Sequence, residues 1–305
     1  MILYASFRTD LPAFYGEWLY NRLRYDGYLL QPNPMNPNQV QRIDTKDIEA
    51  IVFCSKNYKP FMKYVKWFND NFKCVFHYTI NSYGAEIEPG TPNIVDSINT
   101  FKKLSKETSK QQVIWRYDPI LFTNKYDIEH HKNSINLISK ELKNYTEICI
   151  FSFVSTIYPW VKKNIPELIE NESCKNEILT FLNNKNDLHY QTCGHGDTYY
   201  KYENIGISSC TGVDLLERIF NLKCNEFNKG HYRPGCGCIP GVNVGQYNSC
   251  MNRCKYCYAA RNTYKQSLYD VNSPILLGTL SNDAKITHTK SPKVFKQSEQ
   301  LQFKF

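Results

Sequence analysis

The chain has no stretch approaching the roughly eighteen consecutive apolar residues of a membrane-spanning helix, so no such helix is expected within it. Its first residues, Met1-Ile2-Leu3-Tyr4-Ala5, lack the basic stretch and long apolar core of a secretory leader, and a cytoplasmic location is expected. No internal repeat and no low-complexity linker is present. The glycine-rich pieces, such as 235–241, match neither a phosphate loop nor a dinucleotide fingerprint. No serine or cysteine stands in a recognisable catalytic triad.

Cysteine, by contrast, is plentiful, with 12 residues among 305. A chain this long buries a sizeable core without staples, and disulfides are rare in a reducing compartment, so grouped cysteines point to metal ligation. Cys54, Cys74, Cys149, Cys174 and Cys224 are scattered and read as buried or incidental thiols. The net charge of +8 permits a nucleic-acid partner without requiring one.

Short β-branched or aromatic runs recur at 2–7, 50–54, 74–80, 113–117, 148–153, 188–192 and 242–247. Helix-like spacing lies between them, at 14–23, 61–68, 94–104 and 135–142, with Asn93 and Asp127 placed to cap. This alternation predicts an α/β fold with a parallel sheet, read as a TIM-like (β/α) barrel, partial or closed, with a doubly wound sheet as the alternative. The barrel is expected over 1–278, including a Cys-rich segment at 193–257, and an irregular tail over 279–305. Polar residues follow each strand, among them Arg8, Asp10, Lys56, Arg116, Asp118 and His195, where a barrel places its active site. His195 reads as an exposed loop residue, and the adjacent His130 and His131 as a solvated helix face.

The sharpest motif is Cys250-Met251-Asn252-Arg253-Cys254-Lys255-Tyr256-Cys257. Three thiolates so close can each bind one iron of a [4Fe–4S] cubane and leave the fourth iron open. That open iron can chelate S-adenosylmethionine, whose sulfonium an electron can cleave to a 5′-deoxyadenosyl radical. Zinc is the alternative, but the triplet has no obvious tetrahedral fourth ligand beside it. The CxxxCxxC spacing after a strand resembles the radical S-adenosylmethionine superfamily.

The resemblance is wider than the triplet. Ser6 to Tyr15, Ile51 to Asn57, Trp115 to Ile120, Cys236-Gly237-Cys238 and Cys250 to Ala259 together resemble the domain of unknown function 1848 family. It implies a radical S-adenosylmethionine barrel that is circularly permuted, with the cluster loop near the C-terminus and the first strand as its neighbour. The Gly-Gly-Glu-like segment of many superfamily members is absent. Arg8 or Arg116 is therefore expected to meet the methionyl carboxylate, Asp10 or Asp118 the ribose or amine, and Tyr256 or Tyr258 to shield the cluster. An electron donor such as flavodoxin or ferredoxin is implied.

Cys193, Cys210, Cys236 and Cys238 precede the triplet and form a candidate second site, for an iron–sulfur cluster or zinc. The Gln300-Leu301-Gln302-Phe303 segment resembles peptides that dock on DNA sliding clamps, which makes DNA or a clamp a candidate partner. The rival reading is a non-enzymatic, Cys-rich metal-binding protein that binds nucleic acid.

Overall fold

The run Ala50-Ile51-Val52-Phe53 is apolar on both sides of the pleat, which suits a strand covered on both faces. A computed structural model, describing residues 1–193, 201–227, 236–260, 268–289 and 292–296, builds the chain around such strands. In chain order the elements begin β1 (Ile2–Ala5), α1 (Leu11–Phe14), α2 (Gly16–Asn21), β2 (Tyr28–Pro32), β3 (Gln39–Asp44), β4 (Ala50–Ser55) and α3 (Met62–Asn71). There follow β5 (Lys73–Thr79), α4 (Ile94–Glu107), β6 (Val113–Ile120), α5 (Ile128–Leu142), β7 (Ile148–Phe153), α6 (Pro159–Asn164) and α7 (Glu172–Asn183). The last are β8 (His189–Cys193), β9 (Gly206–Ser208), α8 (Val213–Phe220), β10 (Gly241–Asn243) and β11 (Lys285–His288).

Eight strands form one sheet in the order β10-β1-β4-β5-β6-β7-β8-β9, and every neighbouring pair is parallel. The α/β expectation holds, and the described strands form a partial ring with no closure. Among the described residues β9 and β10 are edges, and no pairing joins them. The physical reason lies on the inner face, where Leu215 and Leu216 of α8 and the segment at Val294-Phe295 pack against Ile2, Ala50, Val75 and Ile148. That packing fills space which a closed ring of strands would fill with its own side chains.

The outer face is covered by α3, α4, α5 and α7, each touching the next. Phe53 and Phe76 stack there at 5.2 Å between centroids, over the fully buried Phe61 and Phe68. Each such ring contributes about 1.5–3 kcal/mol by leaving water. Asn93 accepts the Asp96 N–H at 2.9 Å and Asp127 accepts the His130 N–H at 2.7 Å, so both expected caps form. A second, separately paired sheet, β11-β3-β2, joins an antiparallel hairpin to a parallel strand and sends Leu29 and Ile43 into the main core. Its β11 falls inside the segment expected to be irregular. Among the described residues no helix is long and apolar enough to cross a membrane.

Candidate functional site

Side chains on the inner face change character along the strands. Ile2, Val52, Val75, Ile114 and Ile150 are apolar and buried, whereas Cys54, His77, Arg116, Asp118, Ser152 and Cys193 stand at the same pleat positions nearer the carboxyl ends. Chemistry therefore gathers at the end of the sheet where the connecting loops meet.

The triplet loop follows β10, which pairs with β1 from Ile2↔Gly241 to Tyr4↔Asn243, so the first and last strands of the large sheet are neighbours. The loop is gripped from several sides. Tyr15 Oη donates to the Ser249 carbonyl at 2.7 Å, Asn164 Nδ2 to that of Lys255 at 3.1 Å, and Trp160 Nε1 to that of Cys257 at 3.0 Å. The backbone N–H of Lys255 reaches the Ile87 carbonyl at 3.0 Å, and that of Gly90 reaches the Asn252 carbonyl at 3.0 Å. A β-carbon on Gly90 would stand 2.5 Å from the Met251 carbonyl oxygen, so only glycine permits this approach.

Cys254 is buried, and Cys250 and Cys257 are partly so. Burial pushes the Cys250 thiol up to about 12, helped by the nearby Asp10 and Cys257. Cys254 and Cys257 are raised by the same cause. Such thiols ionise when a metal takes the place of the proton. The surroundings suit the thiolate: Ala259 N–H points at Cys257 Sγ at 3.4 Å, Asn252 and Asp10 N–H groups face Cys250, and the Lys56 charge faces Cys254. Three thiols with N–H donors and one cation are a donor set that fits an iron–sulfur cluster. Among the described residues no three His, Cys, Asp or Glu side chains already converge on a point that would hold one ion.

Beside the loop runs a buried polar network. Lys56 Nζ lies 2.9 Å from Glu88 Oε1, with side-chain exposures of 14% and 4%. Burial opposes the Lys56 charge, but Glu88 outweighs it and raises the lysine pKa. Asn81 Nδ2 donates to Glu88 at 2.8 Å and to the Asp118 carbonyl at 3.1 Å, and Tyr256 Oη donates to Glu88. Arg116 Nε meets Asp118 Oδ2 at 3.1 Å, and Ser152 Oγ donates to Oδ1. Burial works against the Asp118 charge, yet Arg116, Ser152 and Lys56 hold its carboxyl below the usual range. A cavity of about 530 Å³ opens on this network, lined by Lys56, Asn81, Ser82, Tyr83, Glu88 and His130, a size suited to a small ligand.

The expected residues thus separate. Arg116, Asp118 and Tyr256 join one network. Asp10 lies beneath the triplet loop and accepts the N–H groups of Ala13 at 3.0 Å and Lys56 at 2.9 Å, and Asn252 Nδ2 at 2.8 Å. Arg8 faces a second cavity of about 690 Å³, with Nη1 on the Asn243 carbonyl at 3.1 Å and its guanidinium 5.6 Å from the Tyr247 ring. Tyr258 Oη bonds the Phe7 carbonyl at 2.5 Å.

Cys193 and Cys210 come together, with sulfurs 3.3 Å apart, and Cys210 and Cys236 each hydrogen-bond Cys238. The hydrogen bond from Cys238 lowers the Cys236 thiol to about 6, against the effect of its burial. Cys54 lies within electrostatic reach of Arg116, Cys210 and Cys238.

His131 is not solvated. It is fully buried between Tyr117 Oη at 2.8 Å and the Leu121 carbonyl at 2.8 Å, because the helix turns that face onto the sheet. His195 and the 300–305 segment lie outside the described residues. Sequence reasoning missed Glu88 and Asn252. The long loop at 81–93, following a strand end, is the signal that could have pointed to Glu88.

A family model described as "Domain of unknown function (DUF1848)" matches residues 2–259. No curated protein and no solved structure matches the chain at a significant level.

Proposed function

The chain belongs to the DUF1848 family, and from that premise we propose that it is an iron–sulfur enzyme of the radical S-adenosylmethionine kind, acting by hydrogen abstraction. The observation that carries the reading is the triplet itself. Cys250, Cys254 and Cys257 lie on one loop at the carboxyl end of a parallel sheet, tied down by backbone contacts and facing N–H donors. A [4Fe–4S] cluster held by these three thiolates supplies low-potential electron chemistry toward the sulfonium of S-adenosylmethionine.

The remaining roles belong to the chain's own side chains. Lys56 offsets thiolate charge near Cys254, and Glu88 with Asn81 and Tyr256 fixes that lysine in place. Tyr256 and Tyr258 cover the loop and keep water from it. Arg116 is engaged by Asp118 and Cys210, so Arg8 is the arginine assigned to the methionyl carboxylate, using N–H donors beyond the one on Asn243. Asp10 holds the loop rather than the cofactor. A small iron–sulfur or flavin electron carrier would serve as the reductant.

Anaerobic reconstitution is the test. Iron and sulfide should both bind, at about four each for a cubane on the triplet. The reduced protein should then form 5′-deoxyadenosine from S-adenosylmethionine, and Cys254→Ala should abolish this. Bound zinc without sulfide, or 5′-deoxyadenosine formation untouched by Cys254→Ala, would overturn the assignment.

A further inference from the structure

Three separate chain segments deliver thiols to one place on the inner face. Cys193 ends β8, Cys210 follows β9, and Cys236 and Cys238 lie ahead of β10. Contacts run from Cys193 to Cys210, from Cys210 to Cys238, and from Cys238 to Cys236. We propose that these four cysteines form a second metal centre that takes a single soft divalent ion of the zinc class, independent of the triplet.

The meeting of these segments is built into the local sequence. Tyr4, projecting from β1, hydrogen-bonds both Thr211 Oγ1 at 2.5 Å and the Ile239 carbonyl at 2.6 Å. The Ile239 N–H in turn reaches the Thr211 carbonyl at 3.0 Å. Gly237 lies so close to Ser209 that a β-carbon would stand 2.1 Å from its hydroxyl oxygen. A side chain there would have to turn the Ser209 hydroxyl aside, so the Cys236–Cys238 turn lies directly against the Cys210 segment. Arg116 Nη1 donates to Cys210 Sγ at 3.0 Å, a charge-assisted bond that favours thiolate over thiol.

Distance argues against a cubane at this place. With zinc–sulfur bonds of about 2.3 Å, two sulfurs on one tetrahedral ion stand about 3.8 Å apart. In a cubane each thiolate sits on its own iron and the sulfurs lie much farther from one another. The 3.3 Å between Cys193 and Cys210 is nearer the spacing of two thiolates that share one metal atom. Four thiols with no room shown for bridging sulfides favour a lone ion of the zinc class. The four sulfurs now follow one another in a line, and no three converge. A single ion would have to draw Cys236, at the half-buried end of this run of contacts, in toward Cys193.

The test uses the full chain with Cys250→Ser, Cys254→Ser and Cys257→Ser, so that the triplet contributes no metal and the radical reading stands or falls separately. This protein should retain one zinc per chain and, titrated with cobalt(II), should develop the sulfur-to-metal and visible bands of tetrahedral thiolate coordination. Adding Cys193→Ser or Cys236→Ser should weaken cobalt affinity roughly tenfold or more. Alkylation of the otherwise unaltered protein covers the case of a variant that does not fold. Zinc should shield Cys193, Cys210, Cys236 and Cys238 but leave Cys174 reactive, and a chelator should remove the shielding. No stoichiometric ion, binding indifferent to Cys193 and Cys236, or iron with sulfide in the triplet-serine protein would each overturn the proposal.

Discussion

Gly90→Ala puts the grip on the triplet loop to a direct test. The added methyl would lie 2.5 Å from the Met251 carbonyl oxygen, 2.8 Å from Asn252 Cα and 3.0 Å from the Asn252 carbonyl oxygen. All three are backbone atoms, so no rotamer change relieves the clash, and the loop must retreat by about an ångström to reach ordinary contact. Overpacking of this kind costs about 1–3 kcal/mol. The bond from Gly90 N–H to the Asn252 carbonyl, now 3.0 Å, is stretched by the same movement and adds about 1 kcal/mol. The expected destabilisation is therefore about 2–4 kcal/mol, together with faster loss of iron from reconstituted protein. Denaturant unfolding gives the first quantity, and iron retained after desalting gives the second. Gly84→Ala in the same loop is the control. Its methyl would meet only the carboxylate of Glu86, which is exposed and can swing away, so the cost should stay below about 1 kcal/mol. Equal behaviour of the two variants, or a fully stable and iron-replete Gly90→Ala protein, would refute the reasoning.

Other expectations follow from the same contacts. Burial lowers the His131 pKa to about 4, so the unfolded chain binds more protons between that value and about 6.5. The stability it contributes is complete above pH 6.5 and falls by up to about 3 kcal/mol as pH drops through 4, and His131→Gln should flatten the difference between unfolding curves at pH 7 and pH 4.5. Lys56→Met should cost about 3–5 kcal/mol, because Glu88 loses its cation while buried, and adding Glu88→Gln should restore at least half of that in denaturant melts. Asp10→Asn replaces one acceptor oxygen by a donor among three N–H partners. It should cost about 1–3 kcal/mol and lower iron retention without changing the spectrum of the iron that remains.

Much of the large sheet was legible because its strands are buried on both faces and read as continuous apolar runs; β4, β5, β6 and β7 lie where those runs lie. The helix starts at Asn93 and Asp127 were legible because capping is local chemistry. The small sheet was not. β3 reads Gln-Val-Gln-Arg-Ile-Asp and buries few of its side chains, and β11 buries none, so neither carries a hydrophobic signature. The three-residue β9 is too short to show a period. Closure of the ring was illegible for another reason: strand pattern does not say what fills the inner face, and here α8 does. At the site, cysteine spacing announced the triplet, but the commitment of Asp10 to Lys56, Ala13 and Asn252 depends on segments far apart in sequence. So does the burial of His131, which a pair of neighbouring histidines on a polar helix gives no means to foresee.

The pairing of Ile2 with Gly241 has a consequence for how the molecule is made. During synthesis the first strand emerges long before its partner, and the edge it will share stays vacant until some 240 further residues have left the ribosome. Loops that long close slowly. The loop that carries Cys250, Cys254 and Cys257 cannot find its anchors until the rest of the sheet already exists, so a cluster of the kind proposed above would be lodged only after folding.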